Sequence, residues 1–110
     1  MPRFDYLELT VKDINAAKEF YSKSFGWEFM DFGPEYASTT SGDTDIGLHQ
    51  TDEITAPLGV ICVDKLEEYY TSVVAAGGQI TTEIFEFPGG KRFEFKDSAG
   101  NKIGVWEKTE

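Results

Sequence analysis

Val11-Lys12-Asp13-Ile14-Asn15-Ala16-Ala17-Lys18-Glu19-Phe20-Tyr21, with Gly26-Trp27 after it, is answered later by Val63-Asp64-Lys65-Leu66-Glu67-Glu68-Tyr69-Tyr70, with Gly77-Gly78 after it. In both stretches an alternating apolar run ends at an acidic residue, an amphipathic segment follows, and glycine closes it. Laying Val11 on Val63 gives an offset of 52 residues (63 minus 11), about half of the 110-residue chain. A repeat at this period means two copies of one supersecondary unit, neither of which buries its apolar face alone.

Working outward, Phe4 to Val11 alternates, with Tyr6, Glu8 and Thr10 on one face and Leu7, Leu9 and Val11 on the other. That is a strand with one apolar side. Asp13 is placed to cap a helix, because its carboxylate can accept free backbone N–H groups. Ile14, Ala17, Tyr21 and Ser24 follow at helical spacing, and Gly26 ends the segment. Trp27–Asp31, Glu35–Thr40 and Asp45–Gln50 read as strands between turns at 33–34 and 41–43. After a connector, Leu58–Val63 repeats the first strand, with Leu58, Val60 and Cys62 opposed to Gly59, Ile61 and Val63. Asp64 repeats the cap, with Glu67 completing a capping-box pattern. Leu66, Tyr70, Val73 and Val74 make the second apolar stripe. Residues 79–87, 91–96 and 102–107 are the remaining strands. The expected fold is α+β: two βαβββ modules, about 2–52 and 57–108, in a single domain over 1–110. Together they form a curled mixed sheet around an open trough, with helices on the outer face.

Composition narrows the function. Ten basic against 20 acidic residues give a net charge of −10. Nucleic acid is bound by clustered Lys and Arg, so it is not an expected partner. No apolar run is long enough for a membrane span, and the start Met1-Pro2-Arg3-Phe4-Asp5 lacks the apolar stretch of a signal peptide. A single cysteine, Cys62, makes no internal disulfide. The expectation is a cytoplasmic protein.

The chain resembles the vicinal oxygen chelate superfamily, which includes glyoxalase I, extradiol dioxygenases and bleomycin-resistance proteins. The resemblance rests on Val11-Lys12-Asp13 with Phe20-Tyr21 and Phe25-Gly26-Trp27, on Ala75-Ala76-Gly77-Gly78, and on Phe95-Lys96-Asp97-Ser98-Ala99-Gly100-Asn101-Lys102-Ile103-Gly104 before the last strand. It implies paired βαβββ modules and a divalent metal (Zn, Ni, Mn or Fe) held by His or Glu from four strands. Carried over one at a time, those positions fall on Tyr6, Gly47, Leu58 and Gly104. Glycine and leucine offer no ligand, and neutral tyrosine is a poor one. No cofactor is therefore expected. An unusual metal set from His49, Glu8 and Glu107 is the alternative, and would make the chain a lyase, isomerase or dioxygenase.

The residues expected to meet a ligand are Tyr6, Glu8, His49, Leu58, Val60 and Trp106. His49, the only histidine, reads either as a general base or as a polar residue near a strand end. Glu8 is the other candidate for a base. The aromatic residues read either as pocket walls or as packing. Gly47 and Gly104 read as an open floor or as bulges. Alternation puts Arg92, Glu94 and Lys96 on one face of their strand and Phe93 and Phe95 on the other, without deciding which face meets a ligand. Lys102 shares the parity of Gly104 and Trp106. With no other cation placed near these residues, the expected ligand is a small neutral or cationic, partly aromatic molecule. A homodimer is expected, since related proteins pair their modules and closed symmetric dimers are the commonest assembly.

Overall fold

The computed structural model describes residues 1–109, and contains eight strands and two helices in the order expected from the repeat. Contacts divide the chain into two compact units. One is Tyr6–Pro57, and the other takes Met1–Asp5 together with the chain from Leu58 onward.

The first unit holds most of β1 (Arg3–Val11), α1 (Ile14–Phe25), β2 (Met30–Asp31), β3 (Tyr36–Ser38) and β4 (Asp45–Gln50). Its strands lie in the order β2-β3-β4-β1. β1 and β4 are parallel, with Leu9 opposite Leu48 and Glu8 opposite Gly47, and β3 runs antiparallel to β4. Ile14, Ala37 and Leu48 are buried beneath α1, with Leu9, Val11, Ala17 and Tyr21 around them. Asp13 caps α1 as expected, accepting from the Ala16 N–H at 3.1 Å, and Gly26 closes it in the left-handed conformation at φ 75°. The second strand is shorter than Trp27–Asp31, because only Met30 and Asp31 pair with β3.

The second unit holds β5 (Leu58–Cys62), α2 (Leu66–Ala75), β6 (Gln79–Phe87), β7 (Gly90–Lys96) and β8 (Lys102–Lys108), in the order β5-β8-β7-β6. β5 and β8 are parallel, and the other neighbours antiparallel. Val63, Leu66, Phe93 and Val105 form its core, with Ile61, Tyr70 and Val73 against them. Val74, expected in the stripe, is 50% exposed.

The start of α2 departs from the expected cap. The residue before the helix is Lys65, with no side-chain cap bond. Glu67 instead pairs with Lys91 Nζ at 2.6 Å. The free Leu66 N–H donates to Glu107 Oε1 at 2.9 Å, so β8 supplies the cap from outside the segment. α1 has the same device in addition to Asp13: the Ile14 N–H donates to Gln50 Oε1 of β4 at 3.0 Å.

Candidate ligand-binding faces

Each unit turns one face of its sheet to its helix, and the opposite face carries the candidate residues. In the first unit, register places Tyr6, Glu8 and Thr10 of β1 beside Asp45, Gly47 and His49 of β4, and Tyr36 and Ser38 of β3 beyond them. The Tyr6 and Tyr36 hydroxyls share a hydrogen bond of 2.5 Å. They meet over Gly47, where any Cβ would overlap both oxygens and lie 2.7 Å from Tyr6 Cζ. Gly47 is therefore a floor that two phenols occupy, not a bulge. Burial, the Glu8 carboxylate and Tyr6 together hold the Tyr36 hydroxyl far above the usual phenol range, and Glu8 takes part as a hydrogen-bond partner. The Tyr36 phenol therefore stays neutral, and the Glu8 carboxylate accepts. His49 is exposed, its ring 6.3 Å from that of Tyr36. Three of the expected site residues, Tyr6, Glu8 and His49, thus share one face. Tyr36, their hub, was not among them, although the alternation Tyr36, Ser38 was open to the same parity reading.

In the second unit, Val60 lies opposite Gly104 and Cys62 opposite Trp106 on β8. A Cβ on Gly104 would meet Val60 methyls at 3.3 and 3.4 Å and Leu58 Cδ2 at 3.7 Å, so Leu58 and Val60 border this floor. The register also settles strand 91–96. Glu94 pairs with Gly104 and Arg92 with Trp106, while Phe93 is wholly buried in the helix-side core. Glu94 is a buried carboxylate, 6% exposed, the feature alternation alone left open. It accepts from Arg92 at 2.7 Å, Lys102 at 3.2 Å and Thr82 Oγ1 at 3.2 Å. Burial opposes its ionisation, but the Arg92 guanidinium and the Lys102 ammonium outweigh that and hold it below the usual carboxylate range. Arg92 lies over the Phe85 ring at 5.6 Å, Phe87 lies 6.4 Å from Trp106, and Trp106 Nε1 donates to Asp5 at 2.9 Å. Two cations therefore share a face with Trp106, where the sequence placed at most Lys102. Cys62 is half-buried, and burial together with Asp5 pushes its thiol up, away from thiolate chemistry.

The alternative metal set is divided between the two units. Glu107 belongs to the second unit and caps α2, whereas Glu8 and His49 belong to the first. Among the described residues, no three His, Cys, Asp or Glu side chains are grouped so that they could hold a metal ion.

A parallel β1–β4 ladder is repeated as β5–β8, with a glycine on the last strand of each unit. Residues 3–105 match the Glyoxalase/Bleomycin resistance protein/Dioxygenase superfamily. The chain belongs to that superfamily. A curated relative from Mycobacterium bovis, called "Putative glyoxylase CFP32", is 28% identical over 116 residues. That match takes in 94% of this chain and 44% of the relative, so the chain spans less than half of that protein's length. Among solved structures, the methylmalonyl-CoA epimerase of Mycobacterium tuberculosis superposes with a TM-score of 0.81 at 15% identity, over 97% of this chain and 88% of that one. A Mn(II)-bound glyoxalase from Novosphingobium aromaticivorans gives 0.75 at 24% identity, over 97% of this chain and 40% of that one. These likenesses establish the fold. The resemblance carries the superfamily's metal-ligand positions onto Tyr6, Gly47, Leu58 and Gly104. Gly47 and Gly104 have no donor, Leu58 is apolar, and the Tyr6 hydroxyl is engaged with Tyr36 over the Gly47 floor.

Proposed function

We infer that this member of the superfamily holds a small organic molecule without the usual divalent metal, and that the molecule is neutral or cationic and partly aromatic. The observation that carries the reading is the Tyr6–Tyr36 pair over Gly47. Two hydroxyls and the Glu8 carboxylate take up the ground where a metal ligand would project. No Lys or Arg stands at the strand positions of that face. On the second unit, Arg92 and Lys102 are engaged by the buried Glu94, so an anionic ligand would have to compete with an internal carboxylate. Aromatic surface for stacking comes from Tyr6 and Tyr36 on one unit and Trp106 and Phe87 on the other. A homodimer in the cytoplasm completes the reading. The single cysteine supports the compartment; no helix among the described residues is long and apolar enough to cross a membrane.

The test pairs an aromatic amine with its matching carboxylate in calorimetric titrations at low salt, alongside elemental analysis of protein purified without a metal-affinity tag. The amine is expected to bind more tightly, with no stoichiometric metal. Tighter binding of the carboxylate, lost in Lys102→Ala, would overturn the ligand class. Stoichiometric zinc, nickel, manganese or iron would overturn the metal-free reading in favour of a lyase, isomerase or dioxygenase.

A further inference from the structure

On the helix side of the first unit, the end of α1 carries aromatic rings that the fold leaves bare. Phe20 is 59% exposed, Phe25 62% and Trp27 38%. The rings form a connected row. Phe20 meets Tyr21 edge-on at 5.1 Å, Tyr21 stacks on Phe25 and Trp27, and Phe25 lies 5.2 Å from Trp27. Tyr21 ties the row to the core around Ile14 and Leu48, so the outer rings are anchored in place. Beside Trp27 the surface opens into a cleft of about 250 Å³ walled by Leu7, Trp27 and Ile46. Its polar edge is already engaged: the Asp45 carboxylate accepts from Thr39 Oγ1 and the Ser41 N–H at 2.7 Å and from the Gly42 N–H at 3.1 Å. The cleft therefore offers apolar surface.

We propose that this face is the contact between two copies of the chain, in which Phe25 of each copy enters the cleft beside Trp27 of the other. This deepens the homodimer reading, on which it rests. Projecting ring and cleft are neighbours on one surface, and a two-fold axis between them fills both clefts at once, as a self-complementary interface requires. A small molecule in the cleft would leave Phe20 and Phe25 bare, whereas a second copy covers them. Aromatic side chains bury about 150–250 Å² each when covered. The uncovered parts of Phe20, Phe25, Trp27 and Leu7 thus supply on the order of 400 Å² of apolar centre, about half of the roughly 800 Å² per partner of a stable interface. α1 also carries charges of both signs in ion pairs, Glu19 with Lys23 and Lys18 with Asp31 of β2.

Light scattering and sedimentation equilibrium from low to high micromolar concentration test the proposal, on wild type and on Phe25→Glu. Wild type is expected at twice the 12.3 kDa chain mass. Phe25→Glu is expected to raise the dissociation constant at least about 30-fold, the effect of losing a central anchor residue, with unchanged far-UV circular dichroism. If Phe25→Glu lowers the thermal midpoint, the milder Phe25→Ser is the variant compared. A wild-type monomer throughout would sink both the dimer and this surface, and would leave the patch to a different partner. A dimer indifferent to Phe25 would sink the surface alone.

Discussion

The two units repeat one plan and use its free space in opposite ways. Each sets a glycine on its fourth strand, parallel to its first: Gly47 opposite Glu8, and Gly104 opposite Val60. Over Gly47 two tyrosine hydroxyls close in from both neighbouring strands. Over Gly104 the three nearest atoms are methyl carbons of Val60 and Leu58, at 3.3 Å and beyond, and the buried Glu94 is its register partner on the adjoining strand. The same backbone feature serves a pair of hydrogen-bonded tyrosine hydroxyls in one unit and an ion-paired carboxylate in the other. The two units share the frame, and the side chains around each floor differ.

The largest expected effect breaks this comparison at the glycines themselves. Gly47→Ala forces apart Tyr6 and Tyr36 and should destabilise by about 1–3 kcal/mol, in the range of overpacked sites. Gly104→Ala needs a shift of a few tenths of an ångström from Val60 and should cost less than about 1 kcal/mol. Urea denaturation of both variants checks the asymmetry, and equal costs would show that the two floors are equivalent.

A smaller effect sharpens the contrast in charge. The pKa of Glu94 is depressed in the folded state, so its contribution is fully present above its ordinary value of 4.5 and is lost as pH falls through the folded value. Stability of the wild type should decline across that acid window, and Glu94→Gln should flatten the part of the profile that belongs to this residue. Tyr36→Phe in the first unit should leave the acid limb unchanged, because the phenol is neutral throughout it. Thermal midpoints measured from neutral pH into the acid range give all three curves.

The smallest effect concerns the helix starts. Glu107→Ala removes the side-chain acceptor from the first N–H of α2 and should cost about 1 kcal/mol. Gln50→Ala should cost less, because Asp13 still caps α1. Equal losses in chemical denaturation would mean that Asp13 does not share the task.

Strand alternation, the repeat and the glycine stops made most of the fold legible, including the helix-side faces of β1 and β5. The start of α2 was not legible: Asp64 has the right chemistry for a cap, but Glu107, 41 residues from Leu66, supplies the acceptor. Local sequence cannot reveal a partner brought in by tertiary register. For the same reason, alternation assigned Glu94 and Phe93 to opposite faces without saying which was inside, until pairing with β8 fixed it. The cluster of Tyr6, Glu8 and His49 followed from parity along single strands, whereas its link to Tyr36 needed the β3–β4 register.

The two tertiary caps have a consequence for motion. The amides of Ile14 and Leu66 are tied to the last strand of their own unit, across 36 and 41 residues of chain. Neither amide can keep its partner if that strand lifts away, even while the rest of the helix persists. In hydrogen–deuterium exchange the two positions therefore act as internal clocks, each timing how often its unit comes open at the closing strand.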